Sequence, residues 1–219
     1  DLQPYMLNFL ENHDEHRFAS EYFGKDAANG LAPLYVSLFL NTAPFMIYFG
    51  QEVGEKGMDE EGFSGLNGRT TIFDWWSIAS VRRLRKLIAS GEYKSLDTDR
   101  LTSAGLTRKE AEIFCRFADA IRTASSEVAI GSGTTYDLCY CNASSDGFDK
   151  NRHFAFLRDF EDDTFLVASN FSNYMANIKL MIPEHAFEWM GIPATSELYP
   201  GKIIEVQVPP MEGVIIKLV

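Results

Sequence analysis

Long uncharged apolar runs are missing from this sequence of 219 residues. No stretch approaches the roughly 18 apolar residues of a membrane-spanning helix, so a membrane is not expected as a partner. The first residues also lack the basic region and the hydrophobic stretch of a signal peptide. Because the chain begins at Asp1 without a methionine, these absences leave its location open between cytoplasmic, periplasmic and secreted.

Cysteines and basic residues are scarce. The chain has 3 cysteines, and an odd number does not suit a disulfide framework. Cys139 and Cys141 lie two apart in an alternating strand pattern and have no Cys or His pair nearby, so we interpret them as packed thiols. Against 20 Lys and Arg stand 31 Asp and Glu, a net charge of −11. This charge repels phosphate backbones, which excludes nucleic acid and favours a neutral ligand such as a sugar.

The first part of the chain has the pattern of alternating strands and helices. Residues 5–10 and 45–49 are continuous apolar runs, and each predicts a buried strand. Between them, Leu31, Leu34 and Leu38 recur at helical spacing. Two unalternating strands separated by a helix predict a βαβ unit with a parallel sheet that is covered on both faces.

A long polar loop and two further helices are expected next. Residues 53–71 are too long for an ordinary connection and are therefore interpreted as functional, with the acidic run at 59–61 as a solvated face. The residues from Ser77 to Gly91 have an amphipathic pattern, which places Ile88 on the buried face. Thr107 and Glu110 form a capping-box pattern that predicts the start of another helix.

The period changes from helical to two beyond about Val128. Short strands are predicted at residues 135–141, 153–160, 164–171, 177–182, 203–208 and 213–218. Glu161, Asp162 and Asp163 form a hairpin turn between two of them. Six short strands without intervening helices predict an antiparallel sandwich.

Two short motifs follow the first two predicted strands. The first is Phe9-Leu10-Glu11-Asn12-His13-Asp14, and the second is an apolar run that ends in Tyr48, Gly50 and Glu52. These motifs, in this order, resemble the ends of the seventh and eighth barrel strands of the α-amylase superfamily of glycoside hydrolases. The segment from Arg69 to Trp75 is similar to the Arg-x-x-x-x-Trp region that follows in these enzymes.

The resemblance covers nearly the whole chain and implies a fold. Residues 1–128 would be the last two strands and helices of a (β/α)8 TIM barrel, an α/β fold, and residues 129–219 an antiparallel Greek-key β-sandwich. A complete barrel takes about 250 residues, so the chain is interpreted as a C-terminal fragment whose first partner is the missing N-terminal barrel portion. The second partner would be an α-glucan such as starch or maltooligosaccharides.

The resemblance also implies roles for individual residues. Asp14 matches the third catalytic carboxylate, which stabilises the transition state, and His13 and Asn12 would bind the same sugar, although Asn12 could also simply hold the turn. Asp14 could alternatively cap a helix or a turn. The family's nucleophilic aspartate, in a Gly-x-Arg-x-Asp pattern, and its acid/base glutamate have no counterpart here. The isolated chain is therefore expected to be inactive.

The remaining candidate residues lie after the second strand. Trp75 would stack on a sugar ring or belong to the core, and the two readings are evenly balanced. Gln51, Glu52 and Arg69 are given supporting roles. No cofactor and no metal residue is assigned to this chain, since calcium, common in the family, would be held mainly by the missing part.

Three alternatives or additions stay open. Glu11, His13, Asp14 and His16 are metal-capable, which keeps a metallohydrolase as one rival, although Glu11 reads more naturally as a partnered structural carboxylate. A non-catalytic structural or carbohydrate-binding module is the other rival. We also expect the chain alone to self-associate through an exposed strand edge.

Overall fold

The computed structural model describes residues 2–57 and 65–219, so the acidic run at 59–61 lies outside the described residues. The helices are α1 (Leu31–Phe39), α2 (Ala79–Ser90), α3 (Thr98–Ser103), α4 (Arg108–Ser126), α5 (Val128–Ser132) and α6 (Glu184–Met190). Short 3₁₀ turns lie at Gln3–Tyr5, Ala27–Gly30, Gln51–Val53 and Glu92–Lys94. Within residues 2–57 and 65–219, no helix has the length and apolarity that a membrane crossing requires.

The strands form separate small sheets. They are β1 (Asn8–Phe9), β2 (Phe45–Met46), β3 (Thr134–Asp137), β4 (His153–Phe160), β5 (Asp163–Asn170), β6 (Ala176–Met181), β7 (Ile203–Val208) and β8 (Glu212–Lys217). β1 pairs with β2 in parallel, β6 with β7 antiparallel, and the order β3-β4-β5-β8 gives an antiparallel sheet. The described residues form no closed barrel.

The chain divides into two compact units. The β unit contains Ala32–Pro44 and Thr123–Val219 together with the first residues of the chain, and the mixed unit contains Leu7–Leu31 and Phe45–Arg122. In the β unit, strands of both antiparallel sheets contribute to one core cluster, in which Leu157, Leu166 and Leu180 are fully buried. Each such side chain contributes roughly 1.5–3 kcal/mol relative to an exposed one.

Helix α1 packs closely against the β unit's sheet. Pro33 lies in its first turn, where a proline is tolerated, and Leu34 and Phe39 are fully buried. At the start of β8, a Cβ on Gly213 would lie 2.4 Å from Cγ of Tyr35 in α1. Only a glycine therefore allows this approach between helix and strand.

In the mixed unit the capping box at Thr107 is confirmed. The Glu110 carboxylate accepts a hydrogen bond from the Thr107 amide at 2.8 Å, and the Thr107 hydroxyl accepts one from the Glu110 amide at 3.2 Å. These reciprocal bonds satisfy two amides that helix α4 would otherwise leave unpaired. Helix α2 also forms and stops at Gly91, but Ile88 is exposed, contrary to its predicted place on the buried face.

The predicted burial of the first strand is wrong. Residues 5–10 give only the two-residue strand β1, and Tyr5, Leu7 and Phe9 are exposed. An apolar run becomes a buried parallel strand only where other elements cover both faces, and the sheet here has just two strands. The run at 45–49 likewise forms a strand only over its first two residues.

The predicted strand at 135–141 is too long, because β3 ends at Asp137. The Asp137 carboxylate accepts a hydrogen bond from the amide of Cys139 at 2.7 Å and turns the chain there. Cys139 and Cys141 thus lie after the strand. Both are half-buried free thiols that pack against the core of the β unit, which agrees with their interpretation as packed thiols.

Candidate active site

The two motifs follow neighbouring parallel strands. Asn8 pairs with Phe45 and Phe9 with Met46, so β1 and β2 run in the same direction. Because parallel strands end at the same edge of a sheet, the segments after them share that edge. One of these segments contains Asp14 and the other contains Glu52.

Asn12 shapes the turn that carries Asp14. Its Oδ1 atom accepts hydrogen bonds from the backbone amides of Asp14 at 2.8 Å and Glu15 at 3.0 Å. An asparagine side chain that bonds the backbone two and three residues later fixes a tight turn. The structure thus shows the turn-holding role of Asn12, one of the two that the sequence left open.

The side chains of His13 and Asp14 project into solvent. His13 Nε2 lies 3.4 Å from Asp14 Oδ2, and the side chains are 57% and 76% exposed. Within the described residues the Asp14 carboxylate has no other ion pair or hydrogen bond and caps no helix. Both groups are therefore free to bind a ligand.

Arg17 organises the edge beneath these exposed groups. Its Nη1 donates to Glu11 Oε2 at 2.8 Å, and its Nη2 donates to the carbonyl of Phe49, after β2, at 2.7 Å. The second carboxylate oxygen of Glu11 accepts the amide of Phe18 at 2.8 Å. Glu11 is thus a partnered structural carboxylate, as its position indicated.

A third segment joins the same arginine. Arg17 Nε donates to the Thr70 hydroxyl at 3.1 Å, and the backbone amide of Arg17 donates to the carbonyl of Gly68 at 2.7 Å. The guanidinium lies 4.5 Å from the ring centre of Tyr48, whose hydroxyl donates to the carbonyl of Thr70 at 2.8 Å. One buried cation therefore connects the segments after both strands with the 65–71 segment.

The sequence reasoning missed Arg17. A signal was available, because an arginine three residues after Asp14 and six after Glu11 has a carboxylate within reach on the same turn. Its contacts with Phe49 and Thr70, which lie 32 and 53 residues away, have no sequence signal.

The carboxyl groups near Arg17 differ in their partners. Burial raises the pKa of Glu11, and the nearby Arg17 charge opposes that rise. Burial also raises the pKa of Glu52, against hydrogen bonds from backbone amides and the weaker attraction of Arg17. Glu52 Oε2 is buried and has no hydrogen-bond partner among the described residues. Glu52 is thus a second acid near Arg17, half-buried and without an ion pair in the described chain.

Gln51 and Arg69 are placed differently. Gln51 is buried, and its Oε1 atom accepts the amide of Tyr48 at 3.3 Å, which supports the chain at the end of β2. Gly50 and Gly54 flank the 3₁₀ turn Gln51–Val53 and have positive φ angles of 88° and 70°, a conformation that glycine adopts readily. Arg69 is exposed, and its guanidinium forms no ion pair with residues that the structure describes.

Trp75 is not a core residue. Its side chain is 49% exposed, and the Arg85 guanidinium lies 5.8 Å from its ring centre. Phe73 and Trp76 beside it are exposed as well. The exposed position favours the stacking alternative over the core alternative, since about half of the side chain is open to a ligand.

A cavity of about 610 Å³ lies elsewhere in the mixed unit. Its lining includes Glu55, Ser80, Arg83, Lys109 and Glu110, and none of the seven predicted site residues contributes to it. Arg83 pairs with Glu110, and the Ser80 hydroxyl donates to Glu55. The cavity therefore does not coincide with the edge that carries Asp14.

The side chains of the metallohydrolase alternative do not converge. Glu11 is committed to Arg17 and the Phe18 amide, whereas His16 stacks on Tyr22 with ring centres 5.6 Å apart. Across residues 2–57 and 65–219, no group of three or more His, Cys, Asp or Glu side chains could hold a metal ion.

Comparison with known proteins adds evidence on the fold. No protein-family model matches the chain, and no curated protein sequence matches it either. Solved structures do match in fold, and they include a debranching enzyme, an α-amylase and an isomaltulose synthase. The resemblance predicted from the two motifs is thus confirmed for the fold.

Three solved structures illustrate the match. The debranching enzyme from Nostoc punctiforme superposes with a TM-score of 0.55 and 18% identity, over 96% of this chain and 35% of that chain. The α-amylase from H. orenii gives 0.50 and 16%, over 97% and 40%. The isomaltulose synthase from Klebsiella sp. LX3 gives 0.50 and 16%, over 97% and 43%. This chain therefore spans between a third and a half of the length of these structures.

Proposed function

We propose that the chain is the C-terminal part of an α-amylase-type retaining glycoside hydrolase that acts on α-linked glucans such as starch or maltooligosaccharides. In this proposal residues 1–128 complete a (β/α)8 barrel and residues 129–219 form a Greek-key sandwich. The observation that carries the proposal is the Arg17 cluster, in which one buried guanidinium bonds Glu11, Phe49 and Thr70. It brings together the three segments that hold the candidate residues.

Asp14 has the central role. Retaining hydrolysis uses one carboxylate as nucleophile and one carboxyl group as acid, about 5 to 5.5 Å apart, on an oxocarbenium-like transition state. Asp14 is neither of these, but it accepts hydrogen bonds from sugar hydroxyls next to the scissile bond. Such bonds strengthen as the ring distorts, so Asp14 lowers the activation barrier more than it improves substrate binding.

The other candidates bind the same sugar or support the edge. His13 hydrogen-bonds a hydroxyl from its exposed ring, Asn12 adds its amide nitrogen while its oxygen holds the turn, and Trp75 stacks on a sugar face. Gln51 supports the end of β2, and Glu52 and Arg69 are assigned supporting roles in the second and third segments. We assign calcium, where present, to residues outside this chain.

The nucleophile and the acid must come from elsewhere, because the sequence has no counterpart of either segment. The 219-residue chain alone is therefore inactive and needs the preceding barrel portion as its partner. The exposed apolar residues 5–9 and the two-stranded sheet also leave an edge through which isolated chains self-associate.

The test is reducing-sugar release from soluble starch. We expect none from the 219-residue chain and release from a protein that also contains the nucleophile and acid segments. In that longer protein Asp14→Asn should lower kcat much more than it raises KM, because it removes an interaction made in the transition state. Asp162→Asn, in the exposed β4–β5 turn, is the matched control and should leave activity unchanged.

Two results would contradict the proposal. Full activity of the longer Asp14→Asn protein would show that Asp14 takes no part in the reaction. Starch hydrolysis by the 219-residue chain itself would show that this chain carries its own nucleophile and acid.

A further inference from the structure

The β unit carries a second cluster of aromatic residues, outside the candidate active site. Tyr136 lies in β3, Tyr140 in the turn after it, and His185 and Trp189 in α6. His185 and Trp189 are four residues apart, which places them on one face of the helix. We call these four residues the β-unit platform.

Tyr136 is the centre of the platform. Its ring is buried, and its hydroxyl is hydrogen-bonded to the hydroxyl of Tyr140 and lies 3.2 Å from His185 Nδ1. The rings of His185, Trp189 and Tyr140 have their centres 5.8, 6.1 and 6.3 Å from that of Tyr136. One buried phenol thus bonds two of the surrounding side chains and lies beside the third ring.

The outer rings are open to solvent. Tyr140 is 62% exposed and Trp189 is 57% exposed, while His185 Nε2 has no hydrogen-bond partner among the residues that the structure describes. Burial raises the pKa of Tyr136, so its hydroxyl stays protonated near neutral pH. The surface therefore combines exposed aromatic rings with a hydroxyl and an imidazole that are hydrogen-bonded to each other.

The charges around the platform argue against an anionic ligand. Helix α6 has Glu184 and Glu188 but no Lys or Arg, and Asp137 follows Tyr136 directly. A phosphate or a nucleic acid would meet negative charge, whereas a neutral ligand would not. Sugar rings are neutral, have apolar faces that pack on aromatic rings, and have hydroxyls at their rims.

We propose that the β-unit platform binds a neutral α-linked glucan chain, with Trp189 and Tyr140 packing against sugar faces and His185 bonding a hydroxyl. This inference rests on the proposed function for the choice of an α-glucan. It adds a second glucan contact, which tethers a polymeric substrate without taking part in bond cleavage.

The experiment uses the fluorescence of Trp189 in the 219-residue chain. The sequence has 3 tryptophans, so a Trp75→Phe, Trp76→Phe variant leaves Trp189 as the only indole, and any indole emission then comes from the β unit. Titration with maltoheptaose should give a saturable change in its emission. The β-linked cellohexaose should bind with at least tenfold lower affinity.

Substitutions then test the surface itself. In this background Tyr140→Ala should weaken maltoheptaose binding about tenfold, whereas Tyr174→Ala, which removes another exposed ring of the β unit, should not. Calorimetry with Trp189→Ala in the otherwise unchanged chain should show the same loss. Circular dichroism should show that each variant is folded, which is expected because the replaced rings are exposed.

The outcomes separate this inference from the proposed function. Absence of any Trp189 response, or equal loss with Tyr174→Ala, would overturn the platform and leave the starch assay unaffected. If Trp189 emission changed with protein concentration but not with maltoheptaose, a second copy of the chain would be what covers the β-unit platform. That result would also overturn the proposed glucan binding. Binding at Trp189 would support it even if the longer protein released no sugar from starch.

Discussion

Arg17 Nη1 lies 2.8 Å from Glu11 Oε2, and both side chains are closed off from solvent. The two residues are six apart in sequence, and their pairing holds the turn that presents His13 and Asp14 to solvent. A buried pair is costly to break, because the remaining charge stays in a low-dielectric interior.

Replacing Arg17 should therefore destabilise the mixed unit. We expect Arg17→Met to lower the free energy of unfolding by about 3 to 5 kcal/mol, since it leaves the Glu11 carboxylate buried without its charged partner. Urea unfolding followed by tryptophan fluorescence measures this. Arg82→Met, at an exposed arginine of α2, should change stability by less than about 0.5 kcal/mol.

The double variant Glu11→Gln, Arg17→Met provides the internal check. It should be more stable than Arg17→Met alone, because no charge is then left unpaired. If the changes in the free energy of unfolding caused by Glu11→Gln and by Arg17→Met simply added up in the double variant, the 2.8 Å contact would contribute nothing to stability.

Glu52 should make stability depend on pH. Burial raises its pKa in the folded chain, so the folded state binds a proton more readily than the unfolded state. Below about 4.3, the pKa of this group in the unfolded chain, the carboxyl group is protonated in both states and does not lower the stability. As the pH rises from there through the raised pKa of the folded chain, the free energy of unfolding falls. Glu52→Gln should thus be as stable as the parent at pH 4 and more stable at pH 8.

Thermal or urea unfolding across pH 4 to 8 measures the difference between Glu52→Gln and the parent chain. The exposed Glu197→Gln is the control and should show no pH-dependent difference. A Glu52→Gln variant that is less stable at pH 8 would mean that the ionised carboxylate is stabilising.

Arg158 should be essential to the β unit. Its side chain is fully buried, with Nη1 donating to the Phe39 carbonyl at 2.9 Å and Nη2 to the carbonyls of Ala129, Ile130 and Gly133 at 2.7–3.0 Å. Burial lowers its pKa to about 10, so it remains a cation at neutral pH.

Arg158→Lys keeps the charge but loses the planar fork that reaches these carbonyls. We expect this variant to lose about 3 kcal/mol or more of the free energy of unfolding, measured by urea unfolding. Arg152→Lys, at an exposed arginine of the same unit, should be neutral. Equal stabilities of the two variants would show that charge alone suffices at Arg158.

The thiols of Cys139 and Cys141 should react slowly. Burial raises the pKa of Cys139 to about 12 and also raises that of Cys141, which keeps both protonated at pH 8. Because the thiolate is the nucleophile, alkylation of the folded Cys115→Ser chain should be at least tenfold slower than in urea. Equal rates, measured by mass spectrometry with iodoacetamide, would disprove this protection.

Local patterns predicted much of the β unit and the main helices. The alternating runs at β4 and β7 and the capping box at Thr107 were found where the sequence placed them. Such patterns are readable because they repeat every two residues or lie within one turn. The same reasoning placed the polar groups Asn12, His13 and Asp14 after a strand.

Tertiary structure decided which side chains meet across long stretches of chain. Arg17 bonds Thr70 across 53 residues, and Tyr136 meets His185 across 49, and no periodicity signals either contact. The burial of residues 5–10 likewise depended on what covers the strand, not on its own composition. The sequence by itself determined local conformation and the order of motifs, whereas packing between distant segments decided burial, pairing and exposure, because these depend on neighbours that the local sequence does not contain.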